Sequence, residues 1–171
     1  MKFSKFLIIK IFFILISSQL LFNVSKANAA EEIKIIYSIF SRTITVNSLK
    51  TFAAEGSSTK KLRRILKATG SSDKEIRSVL NKDFEVPITI ASKLMYSEIG
   101  NVFLIRLSSI IHPSRADDER TGMLALRASV IQAIYKGNGK INLISFFEGY
   151  PTKTIILDVN ALSKVMNKVE S

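Results

Sequence analysis

Four groups of residues have types and spacings that could do chemistry. The solitary His112 lies close in sequence to Ser108, Ser109 and Ser114, and an imidazole beside a hydroxyl can act as a general base. A triad is set by geometry, and no strand–turn–helix context here resembles a nucleophile elbow. The expectation is therefore that His112 is a helix-end residue, placed there by the helix dipole. Asp117-Asp118-Glu119 offers three carboxylates, the ligand type of a hard cation. Consecutive residues diverge around a helix, so the expectation is dipole compensation in a first turn.

The third group is a basic run. No acid occurs between Gly56 and Ser72. At 100° per residue, Lys60, Arg63, Arg64 and Lys67 share one face, with Leu62, Ile65 and Leu66 opposite. Such a face can contact anionic headgroups or an acidic protein, or simply be solvated. The fourth is Arg127, which spacing sets among Met123, Val130, Ile131 and Ile134. A guanidinium there is costly unless it meets an acid or carbonyls. It either binds a ligand carboxylate or phosphate or, the favoured reading, braces the helix. The expected partners are Asp158 first, Glu98 second, or carbonyls at a helix end.

Composition excludes much of the remaining chemistry. The 171 residues contain no Cys and one His, which rules out disulfides, thiolate ligands, Cys nucleophiles and any site needing two imidazoles. Phosphate-loop, dinucleotide and His-Glu-x-x-His patterns are absent, as is Gly-x-Ser-x-Gly. No catalytic, cofactor-binding or metal-binding residue is assigned.

Met1 to Ala30 reads as a secretory signal. Lys2, Lys5 and Lys10 precede an apolar core from Ile11 to Phe22, interrupted by Ser17-Ser18-Gln19. That core is about a dozen residues, shorter than the roughly 20 that span a bilayer. Ala27-Asn28-Ala29 fits the small-x-small cleavage pattern, so the expected cut follows Ala29, with the bond after Ala30 second. The alternative is an uncleaved anchor, which Lys10 and the Ser17-Ser18-Gln19 break disfavour. Removing residues 1–29 takes four lysines and no acid, leaving 21 Lys+Arg against 14 Asp+Glu, a formal charge of +7. Export disfavours nucleic acid as a partner and leaves anionic lipid, an envelope component or an acidic protein.

The elements that must position these residues follow from periodicity and caps. Ile33–Tyr37 and Thr43–Val46 alternate as two strands turning around Ile39–Arg42. Asn47 is expected to cap a helix that Gly56 ends. Thr59 caps Lys60–Thr69, and Ser72 with Glu75 forms a capping box for a helix to about Lys82. Pro87 starts a helix to Tyr96, Ser97–Ile111 follows, and His112-Pro113 closes it. Asp117–Lys136 is the longest helix, stopped by Gly137-Asn138-Gly139. After a short helix, Ile141–Glu148, Thr154–Val159 reads as a strand and Asn160 caps a last helix. The expected fold is α+β: residues 30–171 as one helix-dominated domain, with a small antiparallel sheet made by the N-terminal hairpin and the late strand.

This pattern resembles a known family. Ala30-Glu31-Glu32-Ile33 opens the hairpin, followed by Val46-Asn47-Ser48-Leu49-Lys50-Thr51-Phe52 and Gly56. Ala125-Leu126-Arg127-Ala128 and Pro151-Thr152-Lys153-Thr154-Ile155 come later. The chain resembles the cyanobacterial domain of unknown function found ahead of α/β-hydrolase domains and catalogued through that association as an alpha/beta hydrolase. The resemblance implies export to a periplasm or thylakoid lumen. It carries over no catalytic residues, since a hydrolase's nucleophile, acid and histidine would belong to the following domain, and this sequence ends at Ser171 before one. The expected function is an exported non-catalytic accessory module that contacts a partner hydrolase or an envelope component. The alternatives are a small esterase-like hydrolase of unrecognised design and an anionic-membrane-binding protein.

Overall fold

The computed structural model describes residues 29–68, 70–116 and 118–170, excepting the side chains of 166–170. The segment expected to be a secretory signal lies, apart from Ala29, outside the described residues, as do Thr69 and Asp117. Strands β1 (Glu32–Tyr37) and β2 (Phe40–Thr45) pair antiparallel with Ile33 opposite Ile44, so both isoleucines enter the core together. The ladder continues to Tyr37 opposite Phe40, and the turn is Ser38-Ile39. It lies earlier than the expected Ile39–Arg42 because Phe40, Ser41 and Arg42 add rungs to the ladder. Ser38 takes a left-handed φ of 52°, as a two-residue hairpin turn demands.

Strand β6 (Thr154–Asp158) lies on the other side of β1, and β4 (Ile111–Pro113) closes the sheet in the order β2-β1-β6-β4. The late strand does join the hairpin, but it runs parallel to β1, with Ile33 opposite Ile155. The sheet is therefore mixed rather than wholly antiparallel: the chain crosses over through helices before it re-enters beside β1. β4 pairs antiparallel with β6. Its proline is tolerated because it sits at the end of an edge strand. The fold class is α+β in one domain, as expected, with eight helices among the described residues.

Helix α1 (Val46–Glu55) is capped by Thr45, whose hydroxyl accepts from Ser48 N at 3.0 Å, two residues earlier than the expected Asn47. Gly56, at φ 79°, ends it. Its last carbonyls are held from outside. Arg77 Nε and Asn81 Nδ2 donate to Ala53 O at 3.1 and 2.8 Å, and Arg77 Nη2 donates to Ala54 O at 2.8 Å. Both residues belong to α3 (Asp73–Leu80) or its cap. Thr59 caps α2 (Lys60–Ala68) through Leu62 N at 3.2 Å. At the start of α3, Ser72 and Glu75 form the reciprocal box, and those hydrogen bonds hold the Glu75 carboxyl below its ordinary value.

The two-residue strands β3 (Phe84–Glu85) and β5 (Lys140–Ile141) form a separate small ribbon that periodicity did not anticipate. Helices α4 (Ile88–Met95) and α5 (Glu98–Ser108) meet at Tyr96-Ser97. Helix α6 (Glu119–Lys136) is central and packs on α4, α5, α7 (Leu143–Glu148) and β4. Asp118 caps it through Thr121 N at 2.6 Å. Helix α8 (Val159–Glu170) is capped by Asp158, whose Oδ1 accepts from Asn160 N and Ala161 N at 2.8 and 3.0 Å. Asn160, the expected cap, instead sends Oδ1 to Ser38 N at 2.8 Å, tying α8 to the hairpin tip.

The core gathers Ile33, Phe52, Leu62, Leu104, Leu126 and Ile155 from both layers. Tyr150 is fully buried there, its hydroxyl without a hydrogen-bond partner among the described residues, and burial pushes its pKa above the ordinary value. The unfolded chain ionises this phenol first, so rising pH favours unfolding above about pH 10. Tyr150→Phe should weaken that alkaline loss and raise stability near neutrality by about 1 kcal/mol, read from urea unfolding at pH 7 and 10.5. A second test concerns the α4–α5 corner, where a Cβ on Gly100 would lie 1.9 Å from Leu94 O. Gly100→Ala should cost about 1–3 kcal/mol by the same measurement, because backbone must move.

Candidate functional site

Arg127 anchors the corner where α4, α5 and α6 meet. It is buried, 8% exposed, on the core-facing side of α6. Nε donates to Met95 O, the last residue of α4, at 3.0 Å, and Nη2 donates to Asn101 Oδ1 on α5. Met123 Sδ lies 3.8 Å from Nη2, and the guanidinium carbon stands 4.3 Å from the centre of the Tyr96 ring. Neither Asp158 nor Glu98 is the partner. Asp158 spends its Oδ1 on the start of α8, and Glu98 is exposed in the first turn of α5. The helix-end carbonyl, the third expectation, is what the arginine takes. The fork suits it: one edge meets backbone, another an amide, and the flat face stacks on an aromatic ring.

The corner carries an extended apolar surface. Ile90, Leu94, Tyr96, Ile99, Val102 and Phe103 are all exposed, Ile99 at 79%. Met95 and Leu104 point inward, so α4 and α5 are apolar on both their core and solvent sides. A helix apolar all round normally lies wholly inside protein. Glu98, Ile99, Val102, Phe103 and Arg106 line a shallow depression of about 510 Å³ on this face. Lys93 and Arg106 bring positive charge to the rim and Glu98 negative. The sequence reading missed this face, since an apolar run shows that a side chain avoids water and not which neighbour supplies the cover. Its one available signal was the density of Ile, Leu, Val and Phe between Ile88 and Ile105.

The other sequence candidates lie elsewhere. Helix α2 buries Leu62 and Leu66 and leaves Lys60, Arg63, Arg64 and Lys67 exposed. Arg63 leans on Ser58, with Nε 3.4 Å from Oγ. His112 is not a helix-end residue but the middle of strand β4, opposite Ile156. Helix α5 stops at Ser108, and Asp158 N to Ile110 O and Ser114 N to Thr154 O, at 2.8 and 3.1 Å, draw the following segment onto β6. His112 Nδ1 is 3.0 Å from Pro113 O. The Ser108 and Ser109 hydroxyls donate back to Ile105 O and Arg106 O at 2.7 and 2.8 Å. Asp118 is a cap whose bonds to Thr121 hold its carboxyl below the ordinary value. Among the described residues no three His, Cys, Asp or Glu side chains gather around one point, and no helix is long and apolar enough to cross a membrane.

The family model described as an alpha/beta hydrolase of unknown function matches residues 29–158. The chain belongs to that family. Neither a curated protein nor a solved structure matches it. The matched span runs from the hairpin through β6, so it takes in both the Arg127 corner and the whole four-stranded sheet. Within that span the described residues form a mixed sheet with one parallel pair, whereas an α/β-hydrolase fold is a long series of β–α units.

Arg127→Met tests the corner. It removes the charge but strands Met95 O and Asn101 Oδ1, so stability should fall by about 1–3 kcal/mol in thermal and urea unfolding. Arg127→Lys should recover less than half of that, because an ammonium cannot reproduce the fork.

Proposed function

We propose that this family member is an exported, non-catalytic accessory module that docks its α4–α5 face onto an α/β-hydrolase domain. One observation carries the reading: a continuous apolar surface including Tyr96, Ile99, Val102 and Phe103 stands in solvent on two helices that are also apolar inside. Exposed apolar surface of that extent, ringed by polar residues, is characteristic of an interaction site. Aromatic and β-branched centres with a charged rim fit a protein interface. The choice of a hydrolase as partner rests on the resemblance to a domain found ahead of α/β-hydrolase domains; the family description names a hydrolase and no partner.

Two further features support the parts of this reading. The hydroxyls of Ser108 and Ser109 are turned into helix backbone rather than towards His112, which favours an accessory role over an esterase one. The basic start, short apolar core and Ala27-Asn28-Ala29 of the first 29 residues favour export.

The test is affinity purification of the tagged chain from the exported fraction, with mass spectrometry and an ester-hydrolysis assay on the eluate. An α/β-hydrolase should co-purify with the wild type, and its recovery should drop at least tenfold with the Ile99→Asp, Phe103→Asp double variant at unchanged melting temperature. No hydrolase in the eluate, or equal recovery with the variant, overturns the proposal. So does ester hydrolysis by the chain purified alone that disappears with His112→Ala.

A further inference from the structure

A second apolar surface sits at the other side of the sheet and differs in its charges. At the β1–β2 tip Tyr37, Ile39 and Phe40 are 62%, 90% and 60% exposed. Tyr37 and Phe40 face each other across the last rung, and Ile39 occupies the turn itself. Hairpin turns ordinarily carry Gly, Asn or Asp, so an isoleucine at an apex is contrary to turn chemistry. The tip is also tethered to α8. Ser38 N–H donates to Asn160 Oδ1 at 2.8 Å, and α8 packs along β1. Leu162 and Val165 of α8 add exposed apolar surface.

The exposed charges near this tip are of one sign. Arg42 is the one charged residue from Tyr37 through Thr45, and from Val159 through Lys168 the charged residues are lysines alone. The neighbouring carboxylate, Asp158, is engaged by two N–H groups of α8. Arg42 alternates onto the same side of the hairpin as Phe40, one step of about 7 Å behind it. Among the described residues its Nη1 donates to the adjacent Ser41 O, at 3.1 Å, and Lys164 is exposed.

We propose that the β1–β2 tip inserts into the interface of an anionic lipid bilayer, with Tyr37, Ile39 and Phe40 among the upper acyl chains and Arg42 and Lys164 on the headgroups. Charge decides the occupant. The α4–α5 face has both signs on its rim and suits a protein; the exposed charges at the tip are the cations Arg42 and Lys164, and residues 30–171 carry a formal +7, which suits an anionic surface. Aromatic rings with a cation set a few ångströms behind them match the interfacial layering of a membrane. Helix α2 is the more basic element, but it turns its leucines into the core and leaves nothing apolar to insert. The inference stands independently of the docking of α4–α5.

The chain has no tryptophan, so Ile39→Trp installs a single reporter. Its emission should shift to the blue with phosphatidylglycerol vesicles and be quenched by brominated acyl chains, with far weaker response to phosphatidylcholine and loss of the shift at high salt. Adding Arg42→Glu and Lys164→Glu should weaken the apparent vesicle affinity more than tenfold, and Val79→Trp on α3 should show no shift. Circular dichroism checks folding, and Phe40→Trp replaces Ile39→Trp if that variant does not fold. No shift with the anionic vesicles, an equal shift with neutral ones, an unchanged response after charge reversal, or the same shift at Val79→Trp each overturns the proposal.

Discussion

A buried cation constrains the architecture more than any other single group. Arg127 sits mid-way along the central helix, on the side that must face protein, and among the described residues no carboxylate pairs with it. Its donors must therefore be met by neutral oxygens held in place by other elements. That requirement fixes where α4 ends, since the carbonyl it uses belongs to the last residue of that helix, and it fixes the rotation of α5, which must offer Asn101. Gly100 lets α5 come close enough to Leu94 for this to happen. The exposed apolar residues of α4 and α5 inherit their positions from the same set of bonds, so a polar contact inside the domain orients an apolar surface outside it.

Much of the remaining cohesion is of the capping kind. Thr45, Thr59, Ser72, Ser97, Asp118, Asn142 and Asp158 each accept from backbone N–H groups at a helix start. Arg77 and Asn81 cover the end of α1. The three ion pairs described, Lys50–Glu148, Lys140–Glu85 and Lys153–Glu31, lie on the surface and contribute little. A domain without disulfides is thus held by apolar burial and by many satisfied helix ends, each worth about a kilocalorie per mole.

Legibility in the sequence followed the range of the interaction. Signals confined to a few residues read correctly: the Ser72–Glu75 box, Thr59, the stop at Gly56, and the alternation that marks a hairpin, though its register follows from a turn two residues earlier than expected. Asp158 and Asn160 show the next level. Both can cap, and which does so depends on Ser38, which is 122 positions away from Asn160. The strand at Ile111–Pro113 was hidden because three residues have no period, and only pairing with β6 makes them a strand. Parallel against antiparallel pairing of β1 with β6 is set by the path of the helices between them, which alternation does not encode. The buried state of Arg127 was legible from the wheel; its partners were not, because a guanidinium accepts backbone and side-chain oxygens alike.

The parallel pairing of β1 with β6 has a consequence for the order of assembly. The second strand of the chain's own hairpin covers one edge of β1; the other edge waits for a segment more than a hundred residues later, which must arrive before Ile33 is enclosed by Ile155. During synthesis the helices of the middle of the chain are complete well before that partner leaves the ribosome. Loop closure over such a span is slow and comes late in folding. The four-stranded sheet therefore cannot be completed until residues 154–158 are available, since β6 is the strand that joins β1 to β4.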